Sequence, residues 1–122
     1  MEDNKKRNSK GVIDADPIIM GKVFSKIGAE IIVHSASETE ITLIPNVYHK
    51  WGFVDSLTLD LADGSPDYMD EYAFEFSSGD TPTTLTLPAV VEWEQEPEIE
   101  SNKCYQVSIM NNIGLIVGVS LL

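Results

Sequence analysis

The sequence predicts an all-β fold, a small antiparallel β-sandwich or barrel of about seven to eight strands with an N-terminal arm. Short β-branched or alternating apolar runs recur from Gly28 onward, at a spacing of roughly 8–12 residues. Turn-forming residues separate the runs, and no helical pattern follows Gly28. The predicted domains are an arm over residues 1–27 and a β-domain over residues 28–122.

The arm is polar at first and then becomes rich in apolar residues. Their spacing fits a short amphipathic helix, whereas Gly21 and Gly28 favour an extended segment in a groove of a neighbouring protein, and both alternatives stay open. We expect the apolar side chains to anchor the chain to a partner. They are Ile13, Ile18, Ile19, Met20, Val23, Phe24 and Ile27.

The β-domain is predicted to begin with a hairpin formed by the runs 29–34 and 39–44, which the polar residues 35–38 separate. Leucines alternate with polar residues over 57–61, and aromatic residues do so over 72–76. This alternation is typical of strands that bury one face.

The C-terminal third is predicted to end in a second hairpin. Shorter strands are expected within 83–93, and residues 104–110 alternate again. The dipeptide Asn111-Asn112 tolerates positive φ, so residues 113–122 should pair back as the last strand. Because this last run is apolar on both faces, we expect a second copy of the chain to help cover it.

The two ends of the chain carry opposite charge. The net charge is −12, yet residues 1–10 hold four basic residues against two acidic ones. From Gly28 onward there are two basic residues and sixteen acidic ones, which gives −14. A body this acidic repels phosphate backbones, so we expect no nucleic-acid binding through it. The basic decapeptide is interpreted as a solvated tail.

Membrane insertion is not expected, because the longest apolar run, residues 113–122, is about half the length needed to cross a bilayer. No secretory signal pattern is present. Cys104 is the only cysteine and is interpreted as a small apolar side chain.

Motifs of catalysis or metal binding are not found. His34 and His49 lie on different predicted elements, in no spacing that zinc sites use. The acidic residues of 60–71 resemble a calcium loop only in composition. Phosphate-binding glycine patterns and nucleophile elbows are missing. The sequence therefore predicts a protein that is not an enzyme and holds no cofactor or metal.

Three aromatic residues are candidates for self-association or ligand binding. Trp51 lies next to Gly52 and Trp93 lies beside acidic residues, so both are expected to reach the surface. Tyr48 is the third candidate, because its ring could stack on a sugar if it lined an exposed groove. Tryptophan and tyrosine dominate protein interfaces and also stack on sugars.

Several blocks together resemble a small β-domain of structural proteins of gut tailed phages and prophages, including crAss-like phages. The blocks are PNVYHKWG (45–52), SLTL (56–59), EYAFEFSSG (71–79), TPTTLTLP (81–88) and IESNKCYQVSI (99–109), with Trp93 before the last. The resemblance covers roughly residues 45–122.

The resemblance implies a virion structural protein, a head fibre or capsid decoration subunit on the capsid exterior that is made in the host cytoplasm. Its expected partners are copies of itself, with a trimer favoured and a dimer as the alternative, and capsid or other virion proteins. Placement on the tail stays open. The rival functions are a carbohydrate-binding or tail-associated recognition module that uses Trp51 and Trp93, and a small hydrolase.

Overall fold

The computed structural model describes residues 11–14, 30–93 and 95–121, and these residues form ten strands and no helix. None of the described residues therefore belongs to a helix that could cross a membrane. The prediction of an all-β protein is confirmed. The strands are β1 (Ile13–Asp14), β2 (Ile31–Val33), β3 (Glu40–Leu43), β4 (Tyr48–Phe53), β5 (Ser56–Leu61), β6 (Glu71–Ser78), β7 (Thr84–Thr86), β8 (Glu92–Trp93), β9 (Lys103–Met110) and β10 (Ile113–Ser120).

The chain passes back and forth between two sheets from β2 to β7. The larger sheet has the order β1-β10-β9-β6-β4-β2, with β8 also beside β10, and the smaller has the order β3-β5-β7. Strands β2, β4 and β6 are parallel in the first sheet, and β3, β5 and β7 are parallel in the second. Strands β2 and β3 thus form the first coil, β4 and β5 the second, and β6 and β7 the third. The three coils stack as in a short β-solenoid. The prediction of an antiparallel sandwich or barrel is wrong for these six strands.

The predicted hairpin of residues 29–34 and 39–44 is also wrong. Strand β2 pairs with β4 in the larger sheet, whereas β3 pairs with β5 in the smaller one. Residues 34–39 form the corner between the two sheets. Alternation of apolar residues specifies which face of a strand is buried, but it does not specify which strand lies beside it.

The C-terminal hairpin is confirmed. Strand β10 runs antiparallel to β9 in continuous register from Met110 and Ile113, and β9 runs antiparallel to β6. Asn111 and Asn112 have φ of 52° and 62°. A two-residue turn with both φ values positive matches the twist of the flanking strands, and asparagine adopts it readily.

The core lies between the two sheets. The alternations over 57–61 and 72–76 are confirmed, because their apolar side chains point into this space. On β9 and β10 the inward residues Val107 and Ile116 are both fully buried. Val117, which points to the opposite face of β10, is only 1% exposed. The single chain therefore covers this part of the outer face of β10, whereas Ile113 on the same face is 57% exposed.

Residues 11–14 belong to the β-domain rather than to a separate arm. Strand β1 pairs in parallel with β10, and the Val12 side chain is buried in the core. Gly11 has φ of +77°, and a Cβ on it would lie 2.6 Å from the Gln95 carbonyl oxygen. Ile13, one of the predicted anchors, is thus part of the sheet. The other predicted anchors, and the choice between helix and extended segment, lie outside the described residues.

Candidate functional site

The first coil ends the stack on one side. Strand β2 is the last strand of the larger sheet, and β3 is the last of the smaller sheet. Among the described strands, neither has a second neighbour. We call the edges of β2 and β3 together the open end. Unpaired strand edges present rows of main-chain donors and acceptors, which makes them natural sites for association.

On β2, unpaired main chain and exposed apolar side chains coincide. The Glu30 carbonyl accepts a 2.9 Å hydrogen bond from Tyr48 N–H, and His34 N–H donates to the Lys50 carbonyl at 2.8 Å. Alternate peptide groups of a strand face opposite sides. The peptide groups of Ile31 and Val33 therefore face away from β4, and their side chains are 60% and 74% exposed.

The edge of β3 is polar instead. The carbonyls of Thr39 and Leu43 accept hydrogen bonds from β5 and the residue after it, so Glu40 and Thr42 direct their peptide groups outward. Both of these side chains are exposed. A charged residue on an edge strand discourages pairing. Of the two edges of the open end, that of β2 is therefore the better suited to pair with another strand.

Three side chains form a hydrogen-bonded relay: His34 and Glu38 from the corner between β2 and β3, and His49 from β4. His49 Nδ1 and His34 Nε2 are 2.8 Å apart, and His34 Nδ1 lies 3.0 Å from Glu38 Oε2. Ile44 N–H donates to His49 Nε2 at 3.0 Å. The other carboxylate oxygen of Glu38 accepts a 2.8 Å hydrogen bond from Ser35 N–H. The relay thus ties both strands of the open end to β4.

These contacts specify the tautomers of both histidines. Because a main-chain N–H can only donate, His49 Nε2 must be unprotonated, and its proton lies on Nδ1. His49 therefore donates to His34 Nε2, and His34 donates from Nδ1 to Glu38. A proton added to His49 Nε2 would face Ile44 N–H, so this contact favours the neutral form of His49.

Trp51 covers the relay from within the core. Its ring stacks on His34 with a centroid distance of 4.3 Å, and its Nε1–H donates to the Glu38 carbonyl at 2.8 Å. Trp51 is 1% exposed. The expectation that it reaches the surface is therefore wrong, and no ligand or partner can stack on it. His34 and His49, which the sequence placed on separate elements, are brought together because β2 stacks on β4.

The pKa of His49 is lowered by its burial and, to a lesser degree, by the nearby His34. A histidine with a lowered pKa in the folded state takes up protons more readily when unfolded. The contribution of His49 to the free energy of unfolding is therefore complete above its ordinary pKa of 6.5 and is lost as the pH falls below that value. The hydrogen bond from His34 lowers the pKa of Glu38.

We therefore expect the free energy of unfolding to fall as the pH is lowered from about 7.5 to about 5.5, a window in which carboxylates of ordinary pKa remain ionised. Urea unfolding at a series of pH values measures this change. His49→Gln should flatten the dependence, because an amide can accept from Ile44 and donate to His34 without titrating. A wild-type stability that is constant across the window would contradict the lowered pKa of His49.

The relay runs from a main-chain amide to a carboxylate. One terminus is the main-chain amide of Ile44, which offers no nucleophile, and the other is the carboxylate of Glu38. In the described part of the chain, no group of three His, Cys, Asp or Glu side chains is placed to hold a metal ion. In the acidic loop, Asp70 accepts hydrogen bonds from Asn46 Nδ2 at 2.8 Å and Ser65 N–H at 2.9 Å. The Asp70 carboxylate thus stabilises the conformation of the loop itself.

The three predicted aromatic residues do not form one surface. Tyr48 lies on the outer face of the larger sheet and donates from its hydroxyl to Glu75 at 2.8 Å. Burial, with a contribution from Glu75, raises its pKa. Trp93 is half-buried against Gly114, whose added Cβ would lie 2.7 Å from the indole ring. With Leu85 and other residues, Trp93 lines a cavity of about 400 Å³ beside β7.

No protein-family model, curated protein or solved structure matches this chain. The resemblance to phage virion domains therefore stays a prediction.

Proposed function

We propose that this chain is a non-enzymatic structural subunit of a tailed-phage virion, a head fibre or capsid decoration protein that self-associates and attaches through its N-terminal arm. The observation that carries the proposal is the open end of the first coil. Coils of a solenoid bury their cores by stacking, so an end without a cap invites a neighbour. No described strand pairs with the outward main-chain groups of β2, and Ile31 and Val33 beside them are exposed.

The charge distribution supports the same assignment. The body carries −14 from Gly28 onward, which favours solubility and disfavours contact with packaged nucleic acid. The basic and apolar segment before it is chemically different and suits a protein surface. Under this proposal the acidic bodies project outward from the capsid, while the arm contacts a virion protein. A homotrimer or a homodimer is the expected assembly.

A carbohydrate-binding or tail-associated recognition module has less support. That reading requires an exposed aromatic platform. Of the two tryptophans that this reading uses, Trp51 is buried under the relay, and Trp93 is half-buried at the other end of the coil stack.

Attachment can be tested with Val23→Asp and Phe24→Asp in the arm. Each should abolish binding to purified phage particles that lack the protein, because a buried unpaired carboxylate is strongly disfavoured in an apolar contact. Ser25→Asp is the control for added charge. Deleting residues 1–27 is less informative, because it also removes Val12 from the core. Cosedimentation with particles is the measurement, and undiminished decoration by both variants would refute the anchor.

A further inference from the structure

We propose that the interaction surface for self-association is the free edge of β2 and that its occupant is β2 of a second copy, paired antiparallel about a two-fold axis through Ile32. The proposal rests on the self-association proposed above and names its interface. A strand can add to an exposed sheet edge through main-chain hydrogen bonds alone. Here the pairing would join the larger sheets of two copies into one continuous sheet.

The hydrogen-bonding groups of β2 are complementary to themselves in this register. With Ile32 on the axis, Ile31 lies opposite Val33 of the second copy, and Val33 lies opposite Ile31. These two residues are the ones whose peptide groups face away from β4. Directly opposite residues of this kind exchange both of their hydrogen bonds. The dimer would therefore gain four main-chain hydrogen bonds and leave no outward group of β2 unused.

The side chains agree with the same register. Directly opposite residues of an antiparallel pair lie on one face of the sheet. Ile31 and Val33 of the two copies would form a cluster of four β-branched side chains, and these are the side chains that the single chain leaves 60% and 74% exposed. Glu30 of one copy would lie opposite His34 of the other, which places a carboxylate beside an imidazole rather than beside another carboxylate.

Size and charge set the strength of the contact. An interface centred on a three-residue strand is well below the roughly 1,200 Å² that stable complexes bury. Two chains with a net charge of −12 each also repel each other. We therefore expect a weak dimer in solution, which salt should strengthen by screening the charges. Association should be tighter on a particle, where many copies are held side by side.

Sedimentation equilibrium at up to about 1 mM protein, in low salt and in about 0.5 M NaCl, measures this association. The wild type should approach twice the monomer mass, more closely at high salt. Val33→Lys should remain monomeric, because two lysines would be brought into the apolar cluster. Val90→Lys is the matched control, since Val90 is also exposed but lies in a loop away from β2. If Val33→Lys and Val90→Lys weakened dimer formation equally, the proposal would be overturned.

A cysteine cross-link tests the register. In Cys104→Ser, which removes the one native thiol, Ile32→Cys would face its own copy at a Cα separation of about 4.5 Å, within disulfide range. Mild oxidation should yield a disulfide-linked dimer, whereas Val90→Cys should yield little. An oligomer that survives Val33→Lys and does not cross-link through residue 32 would refute this interface while leaving the proposed function intact. A wild type that stays monomeric throughout would refute both.

Discussion

Replacing Trp51 with alanine should lower the free energy of unfolding by about 3–5 kcal/mol, the usual cost of truncating a fully buried tryptophan. The side chain is 1% exposed, stacks on His34 and meets Phe74 edge-on at a centroid distance of 6.4 Å. Its loss would also leave the Glu38 carbonyl without its indole partner. Urea unfolding followed by circular dichroism is the measurement.

Trp93→Ala is the comparison for Trp51→Ala, because Trp93 is a half-buried tryptophan at the opposite end of the stack. We expect it to cost clearly less than Trp51→Ala. Glycan-array binding should be unaffected by Trp51→Ala wherever the variant remains folded. If Trp51→Ala instead abolished a glycan interaction and left stability unchanged, the tryptophan would be a ligand platform and its place in the core would be wrong.

Replacing His49 with phenylalanine should cost about 2–4 kcal/mol at neutral pH, because it leaves two polar groups without their partner and each such loss costs about 1–3 kcal/mol. The groups are Ile44 N–H and His34 Nε2, both of which contact the His49 ring. His49 is itself only 1% exposed, so water cannot readily replace the lost contacts. The measurement is the urea midpoint at about pH 7.5.

His49→Gln is the matched variant for His49→Phe, since it keeps one acceptor and one donor at the same position. It should retain most of the stability that phenylalanine loses. Equal stability of His49→Phe and the wild type would show that the relay contributes nothing. Equal loss in both variants would show that ring packing, rather than hydrogen bonding, is what His49 supplies.

The relay also bears on the open end, because its members lie where the two edge strands meet. His34 directly follows β2, and Glu38 lies two residues before β3. Hydrogen bonds from Ile44 N–H to His49 and from Trp51 Nε1–H to the Glu38 carbonyl hold the first coil on the second. Weakening the relay should therefore release the first coil before the rest of the stack. This links the acid sensitivity of the corner to the surface that we propose for self-association.

Local patterns of the sequence predict the buried faces well. Alternation over 57–61 and 72–76 identified the side chains that enter the core, and Asn111-Asn112 identified the turn of the C-terminal hairpin. These features depend on neighbours two residues apart or on the φ preference of one residue type, so a linear pattern contains them. The surface position predicted for Trp51 is wrong because it rested on the adjacent Gly52, and a neighbour in the sequence does not specify which face of a strand is buried.

The sequence by itself determined that this protein is all-β, which side chains of its longer strands are buried and where its last hairpin turns. Only the tertiary structure decided that β2 to β7 coil in parallel, that residues 11–14 return to β10, and that His34 meets His49. The physical reason is that a period of two selects the face of a strand, whereas its neighbours and their direction depend on contacts between residues distant in the chain. The relay and the open end both arise from that stacking.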